Sequence, residues 1–224
     1  MNLTSPIKSQ VQGTVRCPGD KSISQRVLMI GALMNKEMTI DGFLHGADPL
    51  STMSALNQIG AKITVDENGL VYLQKRDQVF RDSTQALDLG NSGTGFRLIL
   101  GLTSGIGLNL SFCGDESLSQ RPMSRVISPL TAMGAKIESS NGMLPISLTP
   151  SVLKKQFTYE LPVASAQVKS SILLAGLAAG TAIKIIEPIQ TRDHTERMLK
   201  NFGANIHISS KNDKNIIELA NSNE

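Results

Sequence analysis

Hydrophobic and polar positions along this chain repeat on a scale of about 70 residues. Three almost wholly apolar runs, residues 27–34, 96–102 and 172–179, each follow a small or polar start. A helix that is apolar on most of its faces belongs inside a protein. Each run leads into an extended stretch, at residues 38–40, 108–112 and 182–186. An amphipathic stretch comes next, at residues 50–59, 126–133 and 198–202. It closes on Ile59-Gly60-Ala61-Lys62-Ile63, Met133-Gly134-Ala135-Lys136-Ile137 or Phe202-Gly203-Ala204-Asn205-Ile206. The three glycines are 74 and 69 positions apart. Each suits the residue after a helix end, where φ is often positive. Two further extended runs then meet at Glu67-Asn68-Gly69, at Asn141-Gly142 and at Lys211-Asn212-Asp213-Lys214, and read as hairpins.

The pattern predicts a strand–helix–strand–helix–hairpin unit used three times, over residues 15–80, 81–155 and 156–220, to about 2–4 residues at each boundary. The fold class is α/β (α+β): three βαβαββ repeats around a pseudo-threefold axis, helices inside and sheets outside. No Pro/Gly/Ser-rich linker separates the repeats, so residues 1–224 are expected to form a single lobe. The polar starts at Ser22, Ser92 and Ser165 then converge on one end of it.

Composition narrows the classes. Hydrophobic residues make up 40% of the chain and charged residues 18%, a globular balance. A net charge of +3 is too small to imply nucleic acid, and 4% aromatics with no Trp provide no base-stacking platform. No run reaches the ~18–20 apolar residues of a membrane span, and the first six residues carry no apolar signal core. Neither a membrane nor a nucleic acid is expected as a partner, and the cytoplasm is the expected compartment. Cys17 and Cys113 have no metal-type or redox-type spacing and are expected to be buried, reduced thiols. No metal cluster is apparent, and no cofactor is expected.

Candidate chemistry gathers at the helix starts. Asp20-Lys21-Ser22-Ile23-Ser24-Gln25-Arg26 sets two cations and two hydroxyls at a helix N-terminus, which reads either as an anion site or as a capped helix with surface charges. Leu89-Gly90-Asn91-Ser92-Gly93-Thr94-Gly95-Phe96-Arg97 is a glycine-rich turn that lets backbone approach a ligand, but it is neither a Walker loop nor a dinucleotide fingerprint. There Arg97 either binds ligand or braces the loop. Pro162-Val163-Ala164-Ser165-Ala166-Gln167 offers hydroxyl and amide groups and suits a polyol. Arg121 stands just before Pro122, a candidate first helical residue. Arg192 heads another helix, with Asp193 and His194 beside it as either acid–base groups or helix-capping groups. His45 and His207 have no partner in sequence.

Five segments together resemble the 5-enolpyruvylshikimate-3-phosphate synthases, or 3-phosphoshikimate 1-carboxyvinyltransferases. They are Pro-Gly-Asp-Lys-Ser-Ile-Ser-Gln-Arg at 18–26, Gly-Asn-Ser-Gly-Thr-Gly at 90–95, Arg-Pro-Met at 121–123, Ala-Ser-Ala-Gln-Val-Lys-Ser at 164–170 and Thr-Arg-Asp-His-Thr-Glu at 191–196. They occur in the family's order, and the last two look closest to its class II branch. The resemblance implies two similar lobes of three βαβαββ units each, of which this chain is expected to be the N-terminal one with the C-terminal lobe absent. It implies enolpyruvyl transfer from phosphoenolpyruvate to the 5-hydroxyl of shikimate 3-phosphate with release of phosphate, a step of the shikimate pathway to chorismate and the aromatic amino acids. By resemblance, Lys21, Ser22 and Arg26 bind shikimate 3-phosphate together with Ser165, Ala166 through its backbone, Gln167 and Arg192. Lys21, Gly93, Arg121 and Gln167 line the phosphoenolpyruvate site, Thr94 and Arg97 shape the glycine loop, and Lys21 is the catalytic candidate. The family's acidic proton-transfer groups lie on the other lobe, so the fragment is expected to be inactive alone. Gly93, where some class II members carry Ala, implies a glyphosate-sensitive parent enzyme.

Three alternatives stand beside this reading, one a related enzyme and two from other classes. UDP-N-acetylglucosamine enolpyruvyl transferases share the architecture but place a cysteine in a mobile loop shortly before the Arg-Pro pair, whereas Cys113 lies eight positions before Arg121 in an expected strand. An RNA-binding repeat protein would need more aromatic side chains, and a non-catalytic interaction module is the third alternative.

Overall fold

The computed structural model describes residues 12–221. The first repeat runs α1 (Lys21–Met34), β1 (Met38–Ile40), α2 (Ala47–Gln58), β2 (Lys62–Val65), β3 (Val71–Gln74). The second runs β4 (Leu87–Asp88), α3 (Gly93–Ile106), β5 (Leu110–Cys113), a single-turn α4 (Glu116–Ser119), α5 (Ser124–Met133), β6 (Lys136–Ser140), β7 (Met143–Thr149). The third runs β8 (Gln156–Glu160), α6 (Ala166–Ala179), β9 (Ala182–Glu187), α7 (His194–Asn201), β10 (Ile206–Lys211), β11 (Lys214–Leu219). Repeats two and three each build a four-stranded sheet of the same order, β4-β5-β7-β6 and β8-β9-β11-β10. In each the first two strands are parallel, as a strand–helix–strand crossover requires, and the hairpin is antiparallel.

The first repeat departs from the expected unit. Its sheet is β1-β3-β2, with no leading strand among the described residues. Residues 12–20 carry no ladder, and Pro18 has no N–H to offer one. Gly19 instead packs so tightly on the turn after β1 that an added Cβ would lie 2.0 Å from the Gly42 carbonyl oxygen.

Helices α3 and α6 form the centre. Phe96, Leu98, Ile99, Leu100, Ile172, Leu173 and Leu174 are buried in one hydrophobic cluster. The two backbones touch at glycines: a Cβ on Gly101 would sit 2.3 Å from the Ser171 carbonyl oxygen, and one on Gly105 2.3 Å from that of Ala175. The Ser171 hydroxyl donates to the Arg97 carbonyl at 2.8 Å. These contacts bring the N-termini of α3 and α6 side by side. The pattern glycines Gly60, Gly134 and Gly203 all have positive φ, at 106°, 115° and 86°. Asn212 and Asp213 both have positive φ between β10 and β11, as a two-residue hairpin turn demands.

Three local expectations need correction. Ser92 and Ser165 cap their helices, but α1 is capped by Asp20, whose Oδ1 accepts from the Ile23 N–H at 2.8 Å, so Ser22 lies inside the first turn. Pro122 is not the first residue of α5, because the Met123 N–H donates to the Gly142 carbonyl at 2.8 Å and the buried Met123 side chain holds that residue outside the helix. Neither cysteine is buried: Cys17 is exposed in the irregular entry segment. Cys113 is half-buried on the face of β5 opposite Leu110 and Phe112. Among the described residues no helix is long and apolar enough to cross a membrane.

Candidate functional site

The first turns of α1, α3 and α6 border one open cavity of about 370 Å³, lined by Lys21, Asp48, Asn91, Gly93, Thr94, Arg97, Arg121 and Gln167. All four residues assigned by resemblance to phosphoenolpyruvate, Lys21, Gly93, Arg121 and Gln167, are therefore in one place. Its walls are mostly polar, and three cations face one carboxylate, an excess of positive charge.

Each lining group has a cause for its position. Lys21 pairs with Asp48 of α2 at 2.9 Å, a partner the sequence did not reveal. Gln167, in the first turn of α6, donates from Nε2 to the Thr94 hydroxyl at 2.8 Å, locking α6 to α3 at the cavity floor. Arg97 turns back on its own helix and donates to the Gly93 carbonyl at 3.0 Å and to the Pro122 carbonyl at 3.3 Å, so it braces the loop. Burial, with Arg121 and Arg125 nearby, holds the Arg97 guanidinium below its ordinary pKa. Arg121 donates to the Asn91 side-chain oxygen and to the Ser117 hydroxyl. Asn91 in turn donates to Asp115 at 2.8 Å, and Asp115 also caps α4. Gly93 has a steric role, since a Cβ there would lie 2.9 Å from Nη1 of Arg97 and 3.0 Å from Nη1 of Arg121. Without that methyl, both guanidinium groups close over the loop.

The residues assigned to shikimate 3-phosphate are distributed differently. Ser165 caps α6, accepting from the Val168 N–H, and lines a neighbouring cavity of about 270 Å³ with Tyr159, Leu161 and Val163. Ala166 opens α6, so the first turn of this helix separates the two cavities. The Ser22 carbonyl accepts from Nη1 of Arg26 at 3.0 Å. Arg26 itself is buried, with Nε on the Thr195 hydroxyl at 2.7 Å and Nη2 on the Ser170 hydroxyl at 2.9 Å. Burial lowers its pKa to about 10, opposed by the charge of Glu196 and reinforced by Arg192, which lies near enough to repel it. Ser22, Arg26, Ser165, Ala166 and Arg192 do not line the cavity that holds Lys21 and Gln167.

Sequence reasoning gave no role to Asp48, Asn91, Ser117 or Asp115. An acidic residue in the first turn of α2 reads as ordinary complement to the helix dipole, and nothing local reports that it faces Lys21. Asn91 lies within the Gly-Asn-Ser-Gly-Thr-Gly motif at 90–95, and Asp115 and Ser117 lie in the polar segment 114–123 that leads to Arg121. Cys113 does not line the cavity; burial pushes its thiol pKa up, with help from the Asp88 charge, the opposite of an activated nucleophile.

Fold and cavity together define a lobe of the enolpyruvyl-transferase type with a cation-lined cavity at the joined helix ends. Residues 6–221 match the model of the family described as EPSP synthase (3-phosphoshikimate 1-carboxyvinyltransferase). The chain belongs to that family. It is 47% identical over 201 residues to the 3-phosphoshikimate 1-carboxyvinyltransferase of Ruthia magnifica, covering 90% of this chain and 46% of that protein. It is 50% identical over 195 residues to that of Alkalilimnicola ehrlichii, covering 86% of this chain and 44% of that protein. A solved structure of EPSP synthase from Acinetobacter baumannii superposes with a TM-score of 0.81 at 41% identity, over 93% of this chain and 46% of the other. The chain thus spans about half the length of the relatives it matches.

Proposed function

We propose that this chain is the half of a 3-phosphoshikimate 1-carboxyvinyltransferase that carries the shikimate 3-phosphate half-site, one lobe over residues 1–224, and that it does not turn over alone. The observation that carries this reading is the meeting of Lys21, Gly93, Arg121 and Gln167 around one cavity at the joined ends of α1, α3 and α6. Both substrates are anions bearing phosphate and carboxylate, and the cavity presents cations and amide donors to match.

In the proposed reaction the 5-hydroxyl of shikimate 3-phosphate adds to C2 of phosphoenolpyruvate while the methylene carbon takes a proton. The resulting ketal phosphate then loses phosphate and a methyl proton to give the enolpyruvyl ether. Lys21 faces the cavity at the head of α1 and stabilises negative charge or carries a proton there. Arg121, held by Asn91 and Ser117, takes the phosphoenolpyruvate phosphate. Gln167 stands between the two ligands, while Ser22, Arg26, Ser165, Ala166 and Arg192 hold shikimate 3-phosphate. The further cations and the acidic groups belong to the other half of the enzyme, so enclosure and proton transfer wait for it. The expected compartment is the cytoplasm.

The test is phosphate release from both substrates by the purified chain, alone and mixed with the remaining half of a full-length relative. No turnover alone and measurable turnover in the mixture support the reading. Robust turnover by the chain alone, or none in a mixture whose halves demonstrably associate, overturns it.

A further inference from the structure

Outside the cavity, a set of charges sits in the protein interior. Lys169 of α6 is 1% exposed and bonds Glu196 of α7 at 2.6 Å and Glu187, the last residue of β9, at 3.0 Å. Glu187 also accepts from the Thr191 hydroxyl at 2.9 Å, which holds the segment that carries Arg192. The residues next in sequence, Ser170 and Thr195, hydrogen-bond each other at 2.7 Å, and both accept from Arg26. Helices α6 and α7 are therefore joined by two adjacent rungs. One is ionic, and the other is a pair of hydroxyls on which the Arg26 guanidinium rests.

We propose that the Lys169–Glu187–Glu196 triad is a positioning device for Arg26, fixing the Thr195–Ser170 rung so that the guanidinium keeps one orientation. This rests on the reading above, in which Arg26 binds shikimate 3-phosphate. Stability alone gives weak reason for such a triad, because buried ion pairs are often matched or exceeded by apolar packing. Orientation gives a better one. Arg26 uses three of its five N–H donors inside the protein, through Nε, Nη1 and Nη2, and the triad decides where the other two point. The Glu196 charge also favours the charged form of Arg26, against the repulsion of Arg192.

The experiment combines the Arg26 Nε–H signal in a ¹⁵N–¹H correlation spectrum, assigned by its loss in Arg26→Met, with shikimate 3-phosphate titrations. The chains are wild type, Glu196→Gln, Arg26→Met and the double variant. Glu196→Gln is expected to shift the Arg26 signal and weaken binding about tenfold, the loss that follows from a misdirected charge-assisted bond. In the Arg26→Met background it should cost no more than about twofold, the limit of additivity error. An unmoved Arg26 signal, or an equal loss in both backgrounds, overturns the proposal. If Glu196→Gln does not fold, Glu187→Gln, which weakens the triad and touches neither hydroxyl of the rung, must give the same two results. A wild-type chain with no affinity for shikimate 3-phosphate refutes the functional reading, and the Arg26 signal still decides the positioning claim.

Discussion

Nε2 of Gln167 and Oγ1 of Thr94 lie 2.8 Å apart, and this bond ties the first turn of α6 to the first turn of α3 at the floor of the cation-lined cavity. Replacing Thr94 with Val removes the acceptor and keeps the shape. The Gln167 amide then loses its fixed direction. Affinity for shikimate 3-phosphate is expected to fall about three- to tenfold, the worth of one hydrogen bond, with the thermal midpoint nearly unchanged. Calorimetric titration beside a melting curve checks both.

Asp48 competes with any anion for Lys21. Their 2.9 Å pair is half-exposed and stands in the cavity itself. Asp48→Asn should tighten inorganic phosphate or phosphoenolpyruvate binding by roughly threefold at low ionic strength, and the gain should shrink as salt is added. Titrations at two salt concentrations measure it, and weaker binding by the variant would show that Asp48 helps orient Lys21.

Gly93→Ala puts a methyl 2.9 Å and 3.0 Å from Nη1 of Arg97 and Arg121. These are the far ends of flexible side chains, so stability should change by no more than about 1 kcal/mol. The displaced guanidinium groups should lower phosphoenolpyruvate affinity by about tenfold. In a full-length enzyme the same methyl should weaken glyphosate inhibition more than substrate binding, as inhibition curves of the two forms would show.

Gly101→Val makes the opposite demand. Its Cβ would meet the Ser171 carbonyl at 2.3 Å, and backbone in the centre of the lobe has no room to yield. Denaturant unfolding is expected to show a loss of about 2–4 kcal/mol.

The repeat was legible because three apolar helices, three glycine stops and three polar turns obey local rules that sequence displays directly. The strand order within each sheet and the pairing of α3 with α6 were not read from that pattern; they rest on contacts between segments far apart in the chain. What escaped notice depends on contacts between distant segments. Residues 12–20 contain Val15 and Cys17 and so resemble a strand, but Pro18 and the tight seat of Gly19 on Gly42 take them elsewhere. The Gly-Asn-Ser-Gly-Thr-Gly motif at 90–95 exposed the loop, while the Asn91–Arg121 bond depends on α4, a single turn too short to leave a periodic signal. Lys169 and Glu196 sit inside the motifs at 164–170 and 191–196, yet a lysine in an apolar helix reads as a surface group until α7 is seen to pair with it.

The central claim is that the amino ends of α1, α3 and α6 meet where the two phosphorylated substrates bind side by side. Titrating the ¹⁵N-labelled chain with shikimate 3-phosphate and then phosphoenolpyruvate tests it most directly. The account predicts amide shifts concentrated at Lys21, Ser22, Gly93, Thr94, Ala166 and Gln167, saturating together. Shifts confined to another surface, or none at millimolar ligand in a folded sample, would contradict it.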